Sequence, residues 1–506
     1  MAAKGKIVQL AESLVQGLRK TSDHRVNGKY LTEAVNLRPL EEGVVSHKVI
    51  SVPSDPTEAI VTWPFPQFIR GEEVALAAEA TEVDTINEAT WARTAITTYN
   101  AANVAEERAI TQGGVWQFAD FGTAWFLGNG TDMVIKLPSY DSWKVVVGDV
   151  TLVNALARSG NRLYFGGLSS GTYFDGSDWG ELWDRWMATA PDDVVTYDGM
   201  SIGTNVLAWS AVGGGEYDWP FVAFVAALGL TDTTNYAKIE EAIWTSVQTG
   251  GIGFLPMRWK GTIHAIKELG QYTMVYGANG VTAVTRDHQP IDLMFMGTCG
   301  RGCVAGTQAE HVFVDIEGTL WHLSADLHLT KLGYKEYLGA LTVANIVASY
   351  DPEEQVYYFC TGLGGYTLTK TGLGELSIFT SGVQRVGGTL YGFQKDGGTT
   401  TSQVVTDSID FGTRDVKTLV EVQLSGSGIA GATVQINYKF DKDDAYTTTD
   451  AVTVDTRGNA LVKVSGIQFQ IVVNFAARAN VNLNDILVTV SDGSKRGLKK
   501  RLQGED

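Results

Sequence analysis

Cysteine is almost missing from this chain. Cys299, Cys303 and Cys360 are three thiols in 506 residues, too few for a disulfide framework. Cys299-Gly-Arg-Gly-Cys303 has no second pair to complete a tetrahedron, so it does not read as a zinc site. Buried reduced thiols fit better, as in a protein assembled in a cytoplasm. Proline is scarce as well, 11 against 57 glycines, a balance that suits many tight turns, because glycine reaches positive φ at little steric cost. Long apolar runs are missing too. The longest, from Trp219 to Leu230, is about 12 residues, too short to cross a bilayer, and reads as a buried segment or, less in keeping with base rates, an exposed contact loop. Gln9, Glu12 and Gln16 interrupt any apolar core near the N-terminus, so no signal peptide is expected and the reading is of a soluble protein. Finally, positive charge is short. With 39 basic and 57 acidic residues the net charge is −18, which argues against a protein that grips a nucleic-acid backbone. Such acidity either keeps a large protein dispersed or provides a surface over which polyanions slide.

What is abundant is a repeat: a short apolar strand, a Gly-rich turn and a second aromatic strand. Val115-Trp116-Gln117-Phe118 is followed by Trp125-Phe126-Leu127-Gly128-Asn129-Gly130. The pattern returns at Arg162–Gly167, Tyr272–Val281, Val312–Leu320, Val356–Cys360 and Gly388–Phe393. Successive copies lie roughly 35–50 residues apart, with one longer gap, which is the size of a β-propeller blade. The expected fold is therefore all-β, a propeller of about six blades.

Around the repeats the chain divides into four parts. Residues 1–71 read as an N-terminal helix and extended arm. Ile7, Val8, Leu10, Leu14, Val15 and Leu18 predict an amphipathic helix over 5–19, and Pro39, Pro53, Pro56, Pro64 and Pro66 keep the rest extended. Residues 72–401 hold the propeller, with an insertion near 213–251 expected on one of its faces. Residues 402–492 alternate apolar and polar positions in segments such as Thr418–Leu424, Thr433–Phe440 and Phe469–Phe475, which predicts a C-terminal β-sandwich. A basic tail, 493–506, closes the chain.

Candidate chemistry is sparse. Gly167-Leu-Ser169-Ser-Gly171 matches a nucleophile elbow in letters, but the residues that follow look like a strand where the motif needs a helix. Gly426-Ser-Gly428-Ile-Ala-Gly431 matches a dinucleotide fingerprint, again with a strand following where the pyrophosphate needs a helix N-terminus. His322, Asp326 and His328 share strand parity and are the best candidate metal ligands, though an ordinary polar blade face accounts for them. Asp175 to Asp184 is an acidic aromatic turn without calcium-loop spacing. No pair of carboxylates stands out for glycoside hydrolysis. The sequence thus predicts no catalytic, metal or cofactor site and no enzyme.

Several stretches resemble the β-propeller virion proteins of tailed bacteriophages, most of all the tail nozzle of short-tailed phages. They are Trp63–Gly71 with Asn87–Trp91, Leu255-Pro256 with Ile263–Tyr276, Gly297–Ala305 with Phe313–Trp321, and Ile409–Leu419. The resemblance covers most of residues 60–490. It implies a virion structural protein assembled in the host cytoplasm, a homo-oligomeric ring of six copies, and contacts with portal, adaptor and other tail proteins. It also implies genomic DNA passing through the ring during ejection without sequence-specific binding. The alternative reading is a receptor- or glycan-binding propeller presenting Trp179, Trp183 and Trp186, with a propeller glycoside hydrolase behind it.

Overall fold

The computed structural model describes residues 6–18, 30–52, 66–79, 81–100, 107, 109–122, 124–136, 138, 142–145, 151–170, 204–210, 253–397, 401–413, 415–441, 443–476 and 480–492. The expected insertion at 213–251, the three tryptophans Trp179, Trp183 and Trp186, and the basic tail lie outside these residues.

The chain is all-β, and its centre is a propeller. Among the described residues, six antiparallel four-stranded meanders follow one another along the sequence, at 67–95, 117–145, 151–256, 263–294, 304–333 and 347–376. They are blades 1 to 6. The repeated hairpins fall where the sequence puts them: Gln117–Asp120 pairs with Trp125–Gly128, Tyr272–Gly277 with Gly280–Val284, and Glu310–Val314 with Leu320–Ser324. Blade 2 gains a fifth strand, Thr98–Asn100, parallel to its outer edge.

A seventh, smaller blade completes the circle. It consists of a short hairpin, Gln384–Val386 with Thr389–Tyr391, flanked in the chain by a second antiparallel pair, Ile378–Thr380 with Gln394–Asp396. Its strand Gln384–Val386 packs between the first strands of blades 6 and 1. The propeller also starts slightly earlier than residue 72, because Gln67–Arg70 is the innermost strand of blade 1 and pairs with Ala75–Ala78. Aromatic and branched side chains fill the spaces between blades. Tyr276, Phe313, Phe359 and Tyr358 are all but fully buried, each worth about 2–3 kcal/mol as area removed from water.

The N-terminal segment belongs to the C-terminal sandwich. Lys6–Gln9 is a strand paired with Asn482–Asp492, and the helix is confined to Ala11–Gln16, shorter than the periodicity predicts. Its apolar stripe is nevertheless used, since Leu10, Leu14 and Leu18 are buried in the core shared with the sandwich. Leu37–Leu40 and Gly43–Ser46 form a hairpin that joins the same sheet through Val44–Leu483. Pro39 is tolerated there because Leu37–Leu40 is the sheet's edge strand, where a missing N–H breaks no ladder.

The two domains share a sheet. Leu31–Val35 pairs in parallel with the outer strand of blade 6, Leu373–Leu376, and on its other side with Ser402–Thr406. From there the sheet runs on through Gln468–Phe475 to Thr433–Lys439. Close approach at the junction depends on Gly374, where an added Cβ would lie 2.2 Å from the Leu37 carbonyl oxygen. Asn36, at φ 58, turns the chain between the two sheets and accepts hydrogen bonds from the Ser377 amide and hydroxyl at 2.9 and 2.6 Å.

Candidate functional site: the axial cavity

The innermost strands of the seven blades formed by the described residues surround a cavity of about 640 Å³ on the propeller axis. A second hollow of about 450 Å³ lies at one end, and Val115, Arg301 and Gly302 line both. The partition between them is a polar cross-brace. Arg301 donates from Nε to the Val115 carbonyl at 3.1 Å, from one terminal nitrogen to Asn154 Oδ1 at 3.1 Å, and from the other to the Gly128 carbonyl at 2.8 Å. Gln117 donates from Nε2 to the His264 carbonyl at 2.7 Å and accepts from the Leu156 amide at 2.9 Å. A residue preceding blade 5 is thereby tied to blades 2 and 3, and blade 2 to blades 3 and 4.

The loop that carries Arg301 can enter because glycines flank it. A Cβ on Gly302 would stand 2.9 Å from the Ile346 carbonyl oxygen and 3.1 Å from Val115. Arg301 lies deep in the molecule yet keeps surface open, because what it faces is the two hollows. Burial pulls its guanidinium down to about 9, which leaves it charged at neutral pH. Lys267 is placed in the same way on the wall of the main cavity, and burial lowers its ammonium. Between Lys267 and the protein interior stands His311, 1% exposed, whose Nδ1 shares a hydrogen bond of 2.7 Å with the Tyr276 hydroxyl. Burial, then the Lys267 charge, lowers His311 to about 3, so it is neutral.

The opposite mouth carries mixed charge. Asp120 accepts from the backbone amides of Glu72 and Gly122 at 2.6 and 2.8 Å. Glu268 accepts from the Gly160 amide and from Gln308 Nε2, at 3.3 and 2.9 Å. Arg158 donates to the Asp120 carbonyl at 2.8 Å and lies over the Phe121 ring, and Arg70 is paired with Glu88 at 2.5 Å.

The motifs singled out in the sequence do not converge. Ser169 sits within one continuous strand, Arg162–Ser170, so no strand-to-helix elbow forms around it. The glycines 426–431 join strand Lys417–Ser427 to strand Thr433–Lys439, as the sequence suggests. His322 Nε2 pairs across the sheet with Glu310 Oε2 at 2.9 Å, and the other oxygen of Glu310 accepts from the Tyr357 hydroxyl at 2.9 Å. Asp326 instead caps its own turn, holding the Ser324 hydroxyl and, at 3.4 Å, the His328 amide. Among the described residues no group of three or more His, Cys, Asp or Glu could hold a metal ion. The three cysteines are free thiols. Arg301 and Lys267 are what the sequence reading missed, and the paired glycines around Arg301 were the one local signal of a tightly inserted loop.

No family model matches this sequence, and no curated protein does. Solved structures with a similar arrangement include the Pan2 WD40 domain of Neurospora crassa, at 7% identity over 68% of this chain and 86% of that one, with a TM-score of 0.32. PorZ, a surface component of the type-IX secretion system of Porphyromonas gingivalis, aligns at 11% identity over 67% and 44% of the two chains, with a TM-score of 0.29. The extracellular domain of a protein of B. thetaiotaomicron described as a one-component system aligns at 8% identity over 93% and 64%, with a TM-score of 0.36.

Proposed function

We propose that this chain is a structural component of a phage tail, a nozzle-like ring subunit that forms part of the DNA ejection conduit and performs no bond chemistry. The observation that carries the reading is the shared sheet between blade 6 and the C-terminal domain, which joins propeller and sandwich into one stiff block. A closed propeller already leaves only short, protected sheet edges. Fusing it to a sandwich through backbone hydrogen bonds suits a part that bears load in an assembly. The resemblance to tail nozzles, over most of residues 60–490, is what suggests the particle and its neighbours.

In this reading DNA passes between copies and not along the propeller axis, because Arg301 and Gln117 cross that axis. Rings close when one heterologous interface repeats at a closing angle. The net charge of −18 then favours a lining to which phosphates do not adhere. The test is cryo-electron microscopy of the purified particle that contains this chain. Symmetric copies around a central passage are expected. A peripheral position would instead favour adhesion, and glycan binding abolished by substituting Trp179, Trp183 and Trp186 would establish it.

A further inference from the structure

We infer that the axial cavity is a binding site for a small anionic molecule bearing a phosphate or carboxylate group, held by Lys267 with Arg301 behind it. The inference starts from a charge imbalance. The cavity wall carries four cations, Arg70, Arg158, Lys267 and Arg301, against two carboxylates, Asp120 and Glu268, in a protein whose net charge is −18.

The two carboxylates are already engaged by backbone amides and Gln308, and Arg70 and Arg158 are engaged at the mouth. The deep pair is different. Among the described residues Arg301 is bonded to neutral oxygens alone, and Lys267 makes no hydrogen bond or ion pair, the one group that favours its charge being the buried Cys303 thiol. Charges removed from bulk water are normally paired, since desolvation otherwise costs several kcal/mol per ion. Two deep cations without a carboxylate partner among the described residues, facing a common hollow, leave the place of the counter-charge to a ligand.

Size and access define the ligand class. About 640 Å³ lies within the range of small-molecule sites and equals the liquid volume of about 20 waters. The brace of Arg301 and Gln117 spans the end next to the second hollow, which obstructs threading by a polynucleotide and favours a small ligand. Neutral His311 beside Lys267 adds no competing charge. A lysine ammonium is a point charge that accepts either oxyanion, so phosphate and carboxylate share this chemistry.

The test is isothermal titration of the full chain with inorganic phosphate, pyrophosphate and citrate, in a buffer whose anion is chloride. At least one probe should bind with a stoichiometry of about one per chain. Lys267→Gln should weaken it about tenfold or more, and Lys267→Arg, which keeps the charge, by about threefold or less. In the absence of probe, Lys267→Gln should melt no lower than the wild type, because it removes a desolvated charge. No binding by any probe up to about 10 mM, or binding unchanged in the folded Lys267→Gln protein, would overturn the proposal. Marked destabilisation by that substitution would overturn it too, by showing that the lysine already has a structural partner.

Discussion

Ring closure in this propeller rests on its smallest blade, and the Arg385–Asp351 pair is where that can be tested. Asp351 ends the innermost strand of blade 6 and its carboxylate is fully buried. Arg385, on the blade 7 strand Gln384–Val386, grips it with both Nε and a terminal nitrogen, at 2.7 and 2.6 Å. The same guanidinium reaches Glu353 at 2.8 Å and the Gly388 carbonyl at 2.7 Å. The asymmetry between the two partners sets the magnitudes. Arg385→Ala strands a buried carboxylate with only the Glu353 amide at 3.2 Å, which should cost about 3–5 kcal/mol. Asp351→Asn leaves Arg385 with Glu353 and should cost less, about 1–3 kcal/mol. Arg385→Lys cannot reproduce the two-pronged contact and should fall between them. With a urea m-value of about 3 kcal/mol/M, Arg385→Ala lowers the midpoint by about 1 M or more, read by tryptophan fluorescence. A shift equivalent to less than about 1 kcal/mol would refute the idea that this pair closes the ring.

Other consequences are accessible to simple measurements. His311 and His47 are held near about 3 by burial, so an unfolded chain binds the additional protons below its ordinary value of 6.5. Stability is therefore fully present above that value and falls as pH drops, by about 2 kcal/mol per histidine at pH 5; denaturation across pH 5–7 should show this slope, reduced by His311→Gln. Gly374→Ala places a methyl against the Leu37 backbone and should loosen the domain junction, making residues 377–401 newly sensitive to limited proteolysis. A chain lacking residues 1–46 removes four strands, Lys6–Gln9, Leu31–Val35, Leu37–Leu40 and Gly43–Ser46, from the two C-terminal sheets and should be insoluble or markedly less stable in thermal melting. Cys360 is fully buried and its thiol is pushed up to about 12, so Ellman's reagent should titrate it only after unfolding.

Much of the propeller was legible because its determinants are local. Alternating apolar strands such as Tyr272–Gly277 and Val356–Cys360, each followed by a turn, declare hairpins without reference to distant residues. Blade spacing then follows from counting. The repeat copies fall in blades 2 to 7, since Gly388–Phe393 contains the blade 7 strand Thr389–Tyr391; blade 1 has no copy among them, because its strands, such as Gln67–Arg70 and Ala75–Ala78, are four residues or shorter and lack the Gly-rich turn. The strand Lys6–Gln9 was read as helix for a similar reason. Four residues fit either period, and the partner that decides, Leu487–Val490, lies at the other end of the chain. At the cavity, Lys267 looked like one more polar residue of an amphipathic strand, and Arg301 like the middle of an unmatched cysteine pair.

The sequence by itself determined the all-β class, the meander repeat, the trailing sandwich and the absence of a recognisable catalytic motif, since each depends on residues within one strand or hairpin. Only the tertiary structure decided that the N-terminal strands complete the C-terminal sheets and that blade 6 runs into them. It alone brought Arg301 across the axis to Val115, Gly128 and Asn154, more than a hundred residues away in the chain. Closure of a ring is a long-range event. It sets side chains from distant blades against one hollow, and their charge balance is a property of that hollow which no stretch of sequence carries.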